Sequence, residues 1–153
     1  MPVVVVREAH DSKARRIVVG FDDSPGSRKA VTFAFNLARD TDAPLTVVHG
    51  WGYSPAGTVG LYMPLTPDVV ERVDSERAEL RDATREWCEK YPDVEVALDA
   101  IPVHPVRVLT DASAHAALVV VGSRGRGAFT GMLLGSVSQG VLHHAQCTVV
   151  IAR

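Results

Sequence analysis

The stretch Gly122-Ser123-Arg124-Gly125-Arg126-Gly127-Ala128-Phe129-Thr130-Gly131-Met132-Leu133-Leu134-Gly135-Ser136 holds the residues best suited to chemistry in this chain. Its five glycines let backbone N–H groups approach an anion with no Cβ in the way, and successive N–H groups form an anion-binding nest. Ser136-Val137-Ser138-Gln139 fits a capping box, so a helix starts there with the positive end of its dipole toward the glycines. A phosphate at that point meets free N–H donors and the Ser136 hydroxyl. Arg124 and Arg126 add positive charge, and no Asp or Glu follows Asp111 to repel an anion. The plainer alternative is a strand-to-helix connection whose glycines only permit tight turns. Two familiar phosphate motifs are absent. No lysine precedes Ser136, as a Walker A loop requires, and Thr130 stands where the third glycine of a dinucleotide fingerprint after Gly125-Arg126-Gly127 belongs.

The elements that must position this loop are legible from hydrophobic periodicity. Ile17-Val18-Val19-Gly20-Phe21, stopped by Asp22-Asp23, reads as a buried parallel strand. Ser24 as N-cap and Pro25 at the first helical position open a helix to about residue 39, with Val31, Phe35 and Ala38 on one face. A second strand follows at 45–49. Residues 50–66 hold four of the twelve glycines and form a long loop of the kind that is usually functional. Thr66-Pro67 opens a long helix to about residue 91, in which Val73, Leu80 and Trp87 recur seven apart. Its charged remainder suits a solvated face laced with pairs such as Asp68–Arg72 and Glu86–Lys90. A strand at 94–100, a short helix at 106–115, an all-apolar and hence central strand at 118–121, a helix at 136–144 and a strand at 148–151 complete the pattern. This alternation predicts an open, five-stranded parallel α/β sheet with helices on both faces, Rossmann-like in arrangement. Ligands of such sheets sit at the carboxyl ends of the strands, which here release the loops 22–27 and 122–136.

Composition narrows the function classes. A chain of 153 residues suits one domain, read as a polar lead-in over 1–14 and a structured domain over 15–153. Met1 and that lead-in fit a complete chain, with one half of a tandem protein as the alternative. Sixteen basic residues against 18 acidic ones argue against general nucleic-acid binding. The apolar runs are too short for a membrane span, and the Val3-Val4-Val5-Val6 run is too short for a signal peptide. Cys88 and Cys147 have no metal or redox spacing and suit a reducing cytoplasm. His143 and His144 point about 100° apart on a helix and do not readily grip one metal ion. His49, at a strand end, reads as a packed or hydrogen-bonded histidine, and no nucleophile elbow is present. No metal ligand set and no catalytic residue is assigned, so the chain reads as a binder more than a catalyst.

The spacing Gly122-x2-Gly125-x9-Gly135-Ser136 after a valine-rich strand, with the first strand ending in Asp22, resembles the ATP-binding loop of the universal stress protein family over residues 15–153. That resemblance implies a fold like that of the adenine nucleotide α-hydrolases. It implies that Asp22 lies near the adenosine moiety, and that Gly20 and Gly50 line the adenine pocket. Gly122 and Gly125 would surround ribose and α-phosphate, and Gly135, Ser136 and Val137 would take the phosphates at the helix start. Arg124 and Arg126 join this set from their charge and position alone. The chain departs from the family pattern at three places: Asp23 where glycine is common, Ala116-Ala117 where Ala-Asp is common, and Val103-His104-Pro105 where Gly-x-Pro is common. Asp23 is the one that would weaken triphosphate binding or hold a metal instead.

The resemblance implies ATP together with Mg²⁺ as ligand, a cytoplasmic stress-response regulator or sensor, and a homodimer through the last strand. That strand is expected at the sheet edge, where a charge such as Val149→Asp would split the dimer. A slow ATPase, cyclic AMP as ligand and a nucleotide-free dimeric scaffold are the alternatives.

Overall fold

The computed structural model describes residues 1–8, 13–52, 66–126, 131 and 133–153. Most of the expected 50–66 loop therefore lies outside the described residues, as do Gly127, Ala128, Phe129, Thr130 and Met132. The β-branched runs form β2 (Ile17–Gly20), β3 (Leu45–Gly50), β4 (Val96–Ile101), β5 (Leu118–Gly122) and β6 (Thr148–Ala152). A further strand, β1 (Val3–Val5), precedes them. The helices are α1 (Pro25–Thr41), α2 (Pro67–Lys90), α3 (Pro105–Ser113) and α4 (Ser136–His144). The sheet runs β1-β6-β5-β2-β3-β4, all pairs parallel except β1 with β6. β5 is central, as its unbroken apolar run requires.

Alternation along the strands divides the core in two. Val19, Val47, Val120 and Val150 face Phe35 of α1 and Leu80 and Trp87 of α2. Val18, Val48, Val119 and Val149 face Leu109 of α3 and Val141 of α4. The Trp87 indole N–H donates to Thr32 Oγ1 at 2.9 Å and the Tyr91 hydroxyl to Asn36 at 2.9 Å, so both aromatic residues bury their rings with their polar ends paired. Gly140 lets α3 and α4 approach, since a Cβ there would stand 2.7 Å from Val106.

Local chemistry explains the helix starts. Ser24 caps α1, accepting from the Ser27 N–H at 3.2 Å, with Pro25 in the first turn. Thr66 occupies the corresponding place before α2 without a side-chain cap. At α3 the cap is His104, whose Nδ1 accepts from the Val106 N–H at 3.3 Å. Of the two surface pairs expected on α2 neither is seen: Arg72 turns to Glu76 at 3.6 Å, and Glu86 meets Arg28 of α1 at 3.3 Å.

Two expectations need correction at the same place. Residues 1–14 were expected as a lead-in with no element, and β6 was expected at the sheet edge. Instead Val3, Val4 and Val5 lie opposite Ile151, Val150 and Val149, so β6 is an inner strand and the sheet has six strands. A run of valines has high strand propensity, and an unpaired ladder offers it N–H and C=O partners. Val149 is fully buried among Val18, Val119, Val141 and Cys147. Val149→Asp would place an unpaired carboxylate in that cluster. It is expected to cost more than about 4 kcal/mol and abolish the cooperative urea transition, not simply change the oligomeric mass.

Candidate nucleotide site

Strand order reverses between β2 and β5, whose connections leave toward opposite faces and open a cleft at their carboxyl ends. The cleft has a volume of about 330 Å³. All ten residues selected from the sequence line it: Gly20, Asp22, Gly50, Gly122, Arg124, Gly125, Arg126, Gly135, Ser136 and Val137. Sequence reasoning missed its apolar wall, built by Val48, Pro105, Leu109, Val121 and Leu134. It also missed Ser27 and Ser138, which line the cleft and are buried. Strand and helix periodicity marked Val48 and Leu109 as apolar, but only the fold turns them toward one space.

Asp22 ties the two connections together. Its Oδ1 accepts from the Ser24 N–H at 3.0 Å and from the Ser24 hydroxyl, and its Oδ2 accepts from the Arg126 N–H at 3.1 Å. Burial pushes the carboxyl pKa up, but the hydrogen bonds from Ser24, Arg126 and Ser27 outweigh it and hold the group below its ordinary value of 3.8. Next to it the backbones are in close contact. A Cβ on Gly26 would lie 2.4 Å from the Arg124 carbonyl oxygen, and one on Gly122 would lie 2.5 Å from the Gly26 carbonyl carbon. Gly125 is confined in the same way by Asp22 Oδ2, at 2.5 Å. Gly26 was not selected from the sequence, although a glycine in the first turn of a helix costs about 1 kcal/mol against alanine and so signals a packing reason.

Asp23, which follows Asp22, is turned to a partner. Arg28 binds it at 2.8 Å, and it does not line the cleft. The pair is exposed and contributes little stability, yet it offsets the charge nearest the site.

The start of α4 also lines the cleft, and here the sequence reading needs a second correction. Ser136 is the first helical residue and not the N-cap; Gly135 is the N-cap, and no side chain caps the helix. The Ser138 hydroxyl instead donates to the carbonyls of Gly135 at 2.9 Å and Ser123 at 3.2 Å, and Gln139 Nε2 donates to Leu134 at 3.3 Å. The first-turn N–H groups are thus left without a side-chain acceptor at the positive end of the helix dipole. Arg124 and Arg126 pair with no carboxylate among the described residues. The lining of the cleft therefore combines donors suited to an anion, the accepting Asp22 carboxylate and an apolar wall.

His49 braces this end of the sheet. Its Nδ1–H donates to the Phe21 carbonyl at 2.9 Å and its Nε2 lies 3.3 Å from Glu76 of α2, which links β2, β3 and α2 beside Asp22. His143 and His144 are exposed in the last turn of α4, and the described residues contain no cluster of three potential metal ligands. Cys147 is buried, and burial pushes its thiol up to about 11, away from the thiolate form.

Comparison with known proteins gives concordant results. The family model described as "Universal stress protein family" matches residues 13–153. A universal stress protein of Mycolicibacterium smegmatis is 40% identical over 156 residues, covering 99% of this chain and 51% of its own length. The chain therefore spans about half the length of the curated relatives it matches. Among solved structures, UspA from Lactobacillus plantarum has a TM-score of 0.70 at 25% identity, covering 94% of this chain and 100% of its own. A universal stress protein in complex with cAMP has a TM-score of 0.65 at 25% identity, covering 93% and 98%. No described helix is long and apolar enough to cross a membrane.

Two outcomes test the geometry. A carboxylate whose pKa is lowered by folding adds stability above its unfolded pKa and loses it as pH falls through the folded one. Acid titration followed by circular dichroism should therefore show stability draining below about pH 4, with Asp22→Asn, which cannot accept at both oxygens, removing part of that slope and about 1–2 kcal/mol at neutral pH. Gly122→Ala should lower the urea midpoint more than Gly131→Ala, whose added Cβ has no neighbour within 4 Å but whose φ of 106° is itself costly.

Proposed function

The chain belongs to the universal stress protein family, and within it we propose that this protein is a nucleotide-dependent regulator that binds ATP in the cleft between β2 and β5. The observation that carries this reading is the uncapped start of α4 lining the same cleft as the Asp22 carboxylate. A nucleotide has matching groups: phosphates that accept hydrogen bonds, and hydroxyl or amino groups that donate them. The amides of Ser136 and Val137, with Arg124 and Arg126, suit the phosphates. Gly20 and Gly50 sit beside an apolar wall suited to a base, and Gly122 and Gly125 let the backbone approach a ribose. The solved relative in complex with cAMP supports an adenine nucleotide as the ligand class.

Mg²⁺ fits this reading only through the ligand. Asp22 is the one carboxylate among the described residues that lines the cleft, and both its oxygens already accept hydrogen bonds. An ion would be held by phosphate oxygens and water, as Mg²⁺ at nucleotide sites often is. The same shortage of groups to orient water leaves hydrolysis slow at most. Nucleotide binding shifts the population of loop conformations only if those conformations differ in affinity, and that difference is what a regulator reads out.

Thermal unfolding with ATP, ADP, AMP and cyclic AMP, each with and without Mg²⁺, tests the proposal. ATP at 100 times its dissociation constant should add about 2.7 kcal/mol and raise Tm by several degrees. Gly135→Val, whose Cβ would lie 3.3 Å from Arg124 Cα, and Ser136→Ala should each reduce that shift. A larger shift with cyclic AMP would replace ATP as the ligand, and no shift with any nucleotide would favour a nucleotide-free scaffold.

A further inference from the structure

We propose that a groove between α3 and β4 is a second ligand site, and that it takes a small zwitterion with an apolar side chain, an amino acid or a dipeptide. The inference does not rest on the nucleotide reading, and Val48 is the one described residue that lines both spaces. The groove exists because the sheet is unevenly covered. α2, 24 residues long, packs on β4 from one side, whereas α3 has nine residues and packs on β2, β3 and β5. On the α3 side Ala97 and Asp99 of β4 are therefore exposed, while Thr46 and Val48 beside them on β3 are buried. The space left has a volume of about 450 Å³, within the range of small-molecule sites.

Strand register orders the lining. Arg16 precedes β2, and its Nη1 donates to Thr46 Oγ1 at 2.8 Å, which brings the guanidinium to the row formed by Val18, Thr46 and Ala97. One row further along the strands Asp99 lies opposite Val48, and beyond it Ile101 lies opposite Gly50. Val103 belongs to that last row, since a Cβ on Gly50 would stand 2.9 Å from its carbonyl oxygen. Two of the lining charges are unmatched. Arg16 and Asp99 form no ion pair with each other or with any other described residue, whereas Asp111 is held by Arg107 at 2.8 Å. An anion alone would meet Asp99 in this groove and a cation alone would meet Arg16, but a molecule carrying both charges satisfies both. Arg16 keeps its Nε and Nη2 donors for a carboxylate, Asp99 accepts from an ammonium, and an apolar side chain leaves water on Val48, Ile101 and Val103.

Titration of the full chain with leucine and with leucyl-leucine, followed by amide chemical shifts in NMR, tests this. At least one of the two should bind saturably with a dissociation constant below about 1 mM, moving the amides around Arg16, Thr46, Asp99 and Val108. Isocaproate lacks the ammonium and isoamylamine lacks the carboxylate, so each should bind at least about tenfold more weakly than leucine. Arg16→Gln and Asp99→Asn alter exposed side chains, and each should weaken leucine by about the same factor without moving Tm. Ala97→Trp, which fills the groove from an exposed position on β4, should abolish binding. Isocaproate or isoamylamine binding as tightly as leucine overturns the proposal. So does binding that Arg16→Gln and Asp99→Asn leave intact, shifts confined to Gly122, Gly135 and their neighbours in the nucleotide cleft, or no saturable shift with either probe.

Discussion

The Asp22 carboxylate is the point on which the connections after β2 and β5 converge. It terminates β2, holds Ser24 in place as the cap of α1, and accepts the Arg126 N–H from the loop that follows β5. A carboxylate with several N–H and O–H donors stays ionised despite burial, and its charge then fixes where the donors can lie. The contact of Gly26 with Gly122 and the Arg124 carbonyl is the steric half of the same arrangement. Hydrogen bonds pull the two connections together, and the missing side chains let them come close enough for those bonds to form.

Electrostatics across the cleft follow from that junction. The single lining carboxylate is already satisfied, and Asp23 is turned to Arg28. Arg28 in turn reaches Glu86 and lies over the Trp87 ring at 5.4 Å, so α1 and α2 share one exposed charge cluster away from the cleft. The same cleft presents amides of a helix start and two arginines. A chain with an overall charge near neutrality thereby shows an anion a locally positive surface.

The sheet's two margins are finished differently. At β4 the ladder ends in a strand backed by α2, whose buried residues Leu80, Thr84 and Trp87 all lie in its second half. The first half of α2 is held near the cleft by His49–Glu76 and by Arg72 over the Trp51 ring at 5.0 Å. At β6 the ladder ends in a three-residue strand from the other terminus of the chain. Short edge strands with little side-chain burial keep a sheet from pairing indiscriminately, at small cost in stability.

The sequence by itself determined the parallel α/β class, the order of the elements after residue 15 and the loop that carries the candidate site. Those features depend on periodicity, glycine spacing and helix-start chemistry, which act over a few residues. The rule for ligands at strand carboxyl ends pointed to the loops 22–27 and 122–136, the family resemblance and charge chose the ten residues, and the fold brings those residues around one cleft. Tertiary structure alone decided that Val3–Val5 joins the sheet, since that pairing links positions more than 140 residues apart. It moved the cap of α4 from Ser136 to Gly135 and freed the first-turn amides, because the Ser138 hydroxyl finds the Gly135 and Ser123 carbonyls. It gave Asp23 its partner and Gly26 its reason, for both depend on what lies across the junction and not on neighbours in the chain. Local pattern sets which elements form; which backbone atoms end up within contact distance is decided by packing.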